Sequence, residues 1–181
     1  GVAERRLEGS WEAVTGTAGV EYRPLDDTLL FAKYSRGYKA GGFNNLGFAL
    51  LPYTEPEFVD SYEGGWKQEW MDGSLSTNAA LFFYKYSDAQ APLTLVTNPG
   101  QPGSTAFEAF VNLPEVDTSG FELEGNWNPI DPLNIGFVYA YLKTEITQSD
   151  TYVDATRDAA DPLSSRSLEG NALSQSPEHK V

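Results

Sequence analysis

Apolar and polar side chains alternate along much of this chain. Over residues 59–70, Tyr62, Gly64, Trp66, Gln68 and Trp70 share one face, and Ser61, Glu63, Gly65, Lys67 and Glu69 share the other. Period-two alternation predicts a strand with one face against an apolar medium. The split recurs over 12–22, where Val14, Gly16, Ala18, Val20 and Tyr22 oppose Thr15, Thr17, Gly19, Glu21 and Arg23. It recurs again over 107–127, where Phe121, Leu123, Gly125 and Trp127 oppose Gly120, Glu122, Glu124 and Asn126, with an irregularity expected near Pro114. Over 134–146, Ile135, Phe137, Tyr139 and Tyr141 form one row. Two further segments bring the set to about six strands. In 28–38, Arg36 falls on the face of Leu30, Ala32, Tyr34 and Tyr38, which places it near an interface where its stem can snorkel. In 74–88, the run from Ala79 to Tyr84 is apolar on both faces, which equally suits the core strand of a sandwich.

Connections between these strands alternate in length. Arg23–Asp27, Met71–Gly73 and Asn128–Leu133 carry the Pro, Gly and Asp of tight turns, whereas residues 39–57, 92–106 and 147–177 form long loops. Long strands with short turns at one end and long loops at the other match the description of an outer-membrane barrel. Aromatic placement sharpens this. Tyr22, Trp70 and Trp127 stand just before the short turns, and Tyr38, Tyr84 and the pair Tyr139 and Tyr141 lie toward the opposite ends. About ten residues at ~3.3 Å, tilted by ~40°, project to ~25 Å, the height of an apolar band between two aromatic girdles.

Composition narrows the classes. Aromatics make up 13% of the 181 residues and hydrophobics only 40%, and no apolar run reaches the ~20 residues of a membrane helix. A formal charge of −14 excludes a nucleic-acid surface, which selects for clustered Lys and Arg. Without Cys the chain has no disulfide framework and no thiolate metal site. The first residue is Gly1, no apolar signal segment follows, and Ser176–Val181 reads as the start of another element, so a piece of a longer chain is expected.

Specific strings carry a family resemblance. The stretch Phe31-Ala32-Lys33-Tyr34-Ser35-Arg36-Gly37-Tyr38-Lys39-Ala40-Gly41-Gly42-Phe43-Asn44 closely resembles a barrel segment of TonB-dependent receptors. Pro56–Lys67, with its Ser61-Tyr62-Glu63, is similar to the strand that follows in those proteins. So are Asn78–Gln90, Gly120–Glu124 and Ser176–Lys180, in the expected order. The sequence departs from the family at Gly64-Gly65, one of which is often a larger residue there. The resemblance implies an all-β, antiparallel, up-and-down transmembrane barrel segment, about six to seven strands from the C-terminal side of a roughly 22-stranded barrel, open as it stands. It implies that plug domain, TonB box and terminal strand lie elsewhere. It also implies active import of a scarce, bulky nutrient such as a ferric siderophore across the outer membrane of a Gram-negative bacterium, energised through TonB. Expected partners are outer-membrane lipid and lipopolysaccharide, the plug, the TonB complex and the small-molecule substrate. Lys33, Glu63, Lys67, Glu122 and Glu124 are the expected lumen-facing residues.

Other chemistry is thin. Gly41-Gly42 lacks the Lys, Ser or Thr and following helix of a phosphate loop, so it reads as a strand-to-loop exit. His179 has no partner at metal-ligand spacing. Asp150, Asp154, Asp158 and Asp161 lack the alternate-residue ligands and central Gly of a calcium loop, so they read as a solvated acidic surface. No nucleophile and base come together, and the chain is expected to be neither an enzyme nor a cofactor carrier. Two other readings stay open: a self-contained outer-membrane barrel of about eight strands with a structural or adhesive role, and a secreted carbohydrate-binding sandwich. On the leading reading two strand edges are left open, so the isolated chain is expected neither to fold stably nor to transport.

Overall fold

The computed structural model describes residues 6–44, 52–97, 102–153 and 165–181. In chain order the strands are β1 (Gly16–Leu25), β2 (Thr28–Lys39), β3 (Gly42–Phe43), β4 (Tyr53–Thr54), β5 (Glu57–Trp70), β6 (Leu75–Thr97), β7 (Thr105–Ile130), β8 (Leu133–Gln148), β9 (Thr151–Val153), β10 (Ser165–Ser167) and β11 (His179–Lys180). Seven make one sheet in the order β1-β2-β5-β6-β7-β8-β11, with β3–β4 and β9–β10 as separate two-stranded ribbons above it. Every pairing is antiparallel, and the long strands pair with their chain neighbours, giving an up-and-down meander. No described residue is helical.

The three short turns fall where Pro, Gly and Asp cluster. Asp26-Asp27 joins β1 to β2, and Asp131-Pro132 joins β7 to β8. Between β5 and β6, Met71, Asp72 and Gly73 all take positive φ, of 55°, 54° and 84°. Only the glycine adopts this without steric cost, so the tight return of β5 onto β6 holds two side chains in an uncommon conformation.

The structure departs from the sequence expectation at three places. β1 begins at Gly16, four residues later than the alternation suggests. The loop expected over 92–106 is largely strand, since β6 runs on to Thr97 and pairs with β7 from Thr105. Pro92 is tolerated there because its partner Phe110 sends its N–H to Asn44 Oδ1 (2.8 Å), which shows that this pair exchanges no ladder hydrogen bond. The irregularity expected near Pro114 is present, and the third departure is the shift of phase it causes, which the alternation does not show. Asp88 has φ 55°, and the ladder between β6 and β7 skips the Asp88–Pro114 pair. Leu113 and Val116, three residues apart, consequently pack into one cluster with Ile146, against Tyr86, Ala89, Ala91, Leu168 and Leu173. Above this point each strand turns its alternate residues the other way.

That cluster is the main buried core, and it sits at the loop end of the sheet. Leu168 and Leu173 reach it because the segment beyond β10 returns along β8: Ile146 N donates to Asn171 O, Leu173 N to Thr144 Oγ1, and Leu142 N to Glu178 O, each at 2.9 Å. Side-chain amides fasten a second loop. Asn44 Nδ2 donates to Phe110 O (2.8 Å), Asn112 Nδ2 to Glu55 O (2.9 Å), and Asn112 Oδ1 accepts from Glu55 N (2.9 Å). The extended β6–β7 hairpin thus acts as a post to which both neighbouring connections are tied. Asp154, Asp158 and Asp161 of the acidic loop lie outside the described residues.

Candidate functional site

Register decides which residues share a face, because directly paired residues point the same way. One continuous row runs Tyr22, Leu30, Trp66, Ala79, Leu123 and Tyr139. The next row toward the loops is Val20, Ala32, Gly64, Leu81, Phe121 and Tyr141, and Ala18, Tyr34, Tyr62, Phe83, Ser119 and Lys143 follow it. Toward the turns, Trp70, Leu75, Trp127 and Ile135 form another. This aromatic face leaves large apolar side chains in the open, Leu81 at 64% and Val20 at 65% exposure among them. A contiguous exposed apolar surface of this extent calls for an apolar medium or a partner. Its rings pack across strands: Tyr34 on Tyr62 (5.3 Å), Tyr62 on Phe83 (6.4 Å) and Phe121 on Tyr139 (5.5 Å).

At the loop end the same face becomes charged, in a row running Arg36, Asp60, Lys85, Asp117 and Glu145. Arg36 pairs with Asp60 at 3.2 Å and stacks over Phe58, and Asp60 also accepts the Tyr34 hydroxyl. Lys85 pairs with Glu115 (2.7 Å), and Lys143 with Glu145 (2.8 Å). The alternation pattern placed Arg36 near an interface without naming its partner. The available signal was Asp60, which precedes Tyr62 by two residues and so shares its face.

The opposite, polar face gathers Lys33, Glu63, Lys67, Glu122 and Glu124, the residues expected in the lumen. Lys33 Nζ and Glu63 Oε2 meet at 2.8 Å, and Asn78 Nδ2 donates to Glu124 Oε1 at 2.7 Å. Tyr84 belongs here too, paired with Ser61 and Thr118, which corrects its assignment to the girdle set. A run apolar on both faces has no phase of its own, and only pairing to Glu63 on β5 sets it. The remaining girdle candidates, Tyr22, Tyr38, Trp70, Trp127, Tyr139 and Tyr141, stand on the aromatic face. The alternation pattern also missed three cross-strand pairs of an aromatic with a glycine: Phe31 with Gly65, Phe82 with Gly120, and Phe137 with Gly125. In each the ring lies over its partner, so that a Cβ there would strike it. The departure at Gly65 has its physical reason in the Phe31 ring and the Ala79 carbonyl oxygen.

Among the described residues no group of three or more His, Cys, Asp or Glu side chains is placed to hold a metal ion. His179 lies on the aromatic face beside Tyr141, its Nδ1 2.8 Å from the Tyr139 hydroxyl. Among the described residues no helix is long and apolar enough to cross a membrane, which leaves crossing by strands untouched.

Residues 3–181 match the family model described as TonB dependent receptor-like, beta-barrel. The chain belongs to that family. Relatives of this TonB-dependent receptor segment include the metal-pseudopaline receptor CntO of Pseudomonas aeruginosa, 30% identical over 92% of this chain and 22% of the relative. The ferric-pyoverdine 358 receptor of Pseudomonas putida is 29% identical over 73% of the chain and 15% of its own length. The solved structure of the siderophore receptor PiuA from Acinetobacter baumannii superposes with a TM-score of 0.63 at 20% identity, covering 91% of this chain and 22% of PiuA. That likeness establishes the fold: an all-β, antiparallel, open piece of receptor barrel. The chain spans about a fifth of the length of the CntO receptor it matches. Members of the family are transport receptors, not enzymes.

Proposed function

We propose that this chain is a stretch of the barrel domain of a longer outer-membrane receptor of a Gram-negative bacterium, importing a scarce metal chelate such as a ferric siderophore with energy from TonB. The observation that carries the reading is the two-faced sheet: a face of exposed aromatic and aliphatic side chains on one side, and ion-paired Lys33 and Glu63 beside Glu122 on the other. In hydrocarbon every backbone polar group must pair within the protein, and an antiparallel meander of this kind meets that demand once the rest of the receptor closes its two edges into a barrel. On this reading the polar face lines the lumen, where Lys33, Glu63, Lys67, Glu122 and Glu124 meet the plug or the passing substrate. Lipid and lipopolysaccharide surround the other face. The plug and the TonB-contacting segment belong to the remaining four-fifths of the receptor. The matched siderophore and metal-chelate receptors support the substrate class. The test is deletion of the gene in its host, followed by growth under iron limitation and uptake of labelled ferric siderophores. Loss of uptake of one chelate is expected. Unchanged uptake of every chelate, with unchanged growth, would sink the assignment.

A further inference from the structure

The main sheet narrows abruptly along one line. Tyr38, Phe58, Ser87, Glu115 and Gln148 form a single row across β2, β5, β6, β7 and β8, and β8 ends there. In the next row toward the loops Lys39 still pairs with Glu57, but the Asp88–Pro114 couple is missing. Beyond that row, among the described residues, the main sheet continues as a two-stranded arm, 89–97 of β6 against 105–113 of β7. Asp88 at its base has φ 55°, and Pro114 opposite has no N–H to give. A line where the flanking ladders stop and the one remaining couple is unbonded is where a sheet bends at least cost.

The connection between β2 and β5 is fastened to this arm. Two asparagines do so reciprocally. Asn44 of the connection accepts the Phe110 N–H on Oδ1 and donates from Nδ2 to Phe110 O, both at 2.8 Å. Asn112 of the arm accepts the Glu55 N–H and donates to Glu55 O, both at 2.9 Å. Each amide thus offers a backbone residue a donor and an acceptor together, as a neighbouring strand would. Gln90 Nε2 adds bonds to Ala40 O (2.9 Å) and Glu55 O (3.0 Å), the Gln90 N–H goes to Glu57 Oε2 (2.8 Å), and Lys39 Nζ stands 5.6 Å from the centre of the Phe110 ring. The connection is rooted at Lys39 and Glu57, in the row of the missing couple, so connection and arm share one base line. On the other face of the arm, Ala89, Ala91 and Leu113 reach the apolar cluster of Val116 and Ile146. Those contacts lie close to the base line, where a tilt displaces atoms least, and apolar contact has no preferred direction.

We propose that the arm and residues 40–44 and 52–56 of the connection form one body that tilts about the row Tyr38–Phe58–Ser87–Glu115, so that two outer connections distant in sequence respond together to contact with either. The experiment is double electron–electron resonance on the full-length receptor in detergent, with spin labels placed in pairs on Glu55→Cys in the connection, Glu108→Cys in the arm and Lys143→Cys in the wall below. A narrow distance distribution is expected for 55 with 108, and distributions roughly twice as wide for 108 with 143 and for 55 with 143. Asn44→Ala combined with Asn112→Ala should widen the 55–108 distribution and leave 108–143 as it was. Should that variant misfold, the three distributions of the otherwise unaltered receptor still decide. A 55–108 distribution as wide as 108–143 would show that the connection is not carried by the arm, and a 108–143 distribution as narrow as 55–108 would show that the arm does not tilt; either overturns the proposal. The transport reading stands or falls separately, on the uptake assay.

Discussion

Replacing glycine by alanine should have opposite effects at two places in the same sheet. At Gly120 an added Cβ would meet the carbonyl oxygen of Tyr141 and the ring of Phe82, and at Gly65 the carbonyl oxygen of Ala79 and the ring of Phe31. A backbone oxygen cannot swing aside as a side chain can, so β7 and β8, or β5 and β6, must part locally. Overpacking of this kind costs about 1–3 kcal/mol, or roughly a 5- to 150-fold change in the unfolding equilibrium. At Gly16 nothing lies within reach of the new methyl group, so Gly16→Ala should be neutral or stabilise by about 0.4–1 kcal/mol through the unfolded chain. Phe82→Ala combined with Gly120→Ala should recover little, because the Tyr141 oxygen remains. Urea unfolding of the full-length receptor, followed by tryptophan fluorescence in detergent, reads all four variants. Gly120→Ala as stable as Gly16→Ala, or full recovery in the double variant, would show that the close approach does not constrain these strands.

Three further outcomes follow from the same geometry. Leu81→Lys puts a charge in the middle of the aromatic face and should cost about 2–4 kcal/mol, against under about 1 kcal/mol for Glu122→Lys on the polar face; similar losses from both, in the same unfolding assay, would contradict the assignment of faces. Val116 is fully buried among Leu113, Ile146 and Tyr86, and Leu113→Ala should cost about 2–5 kcal/mol with loosening of Leu168 and Leu173, seen as faster amide exchange over 167–173. Asn112→Ala removes two hydrogen bonds to Glu55, including the one its amide makes, and leaves that from Gln90 Nε2 to Glu55 O (3.0 Å); it should raise exchange at the Glu55 amide by roughly tenfold or more, without unfolding the β5–β6 ladder; unchanged exchange would show that the Gln90 bond and other contacts suffice to hold the loop.

How far the sequence revealed this architecture depended on whether a segment carried its own phase. β5 and β8 alternate cleanly, and their faces agree with the register. The run Ala79–Tyr84 does not, so Tyr84 could be placed only through Glu63 and Lys33 across the ladder. The extension of β6 and β7 was hidden by Pro92 and the Asn98–Gly103 cluster, which read as loop. An antiparallel ladder uses only alternate N–H groups, and Pro92 occupies a place where none is needed. The loop anchors were out of reach for a different reason: an asparagine that completes a backbone pair many residues away leaves no local pattern. Strings such as Ser61-Tyr62-Glu63 carried the family, while charge partners such as Asp60 for Arg36 needed the pairing of strands.

The phase change at Asp88 and Pro114 gives one strand two solvents. Below it the odd-numbered apolar residues of β7, Phe121, Leu123 and Trp127, look outward. Above it the odd-numbered apolar residues Ala109, Val111 and Leu113 are buried, Leu113 in the cluster with Val116 and Ile146. Parity in the sequence is unchanged, yet its meaning inverts where lipid would give way to water. A receptor wall can therefore rise out of a membrane as a continuous ribbon, shedding an oily exterior for an oily interior without a loop, a break or a second domain. On the membrane reading, the unpaired couple of Asp88 and Pro114 marks the waterline of this sheet.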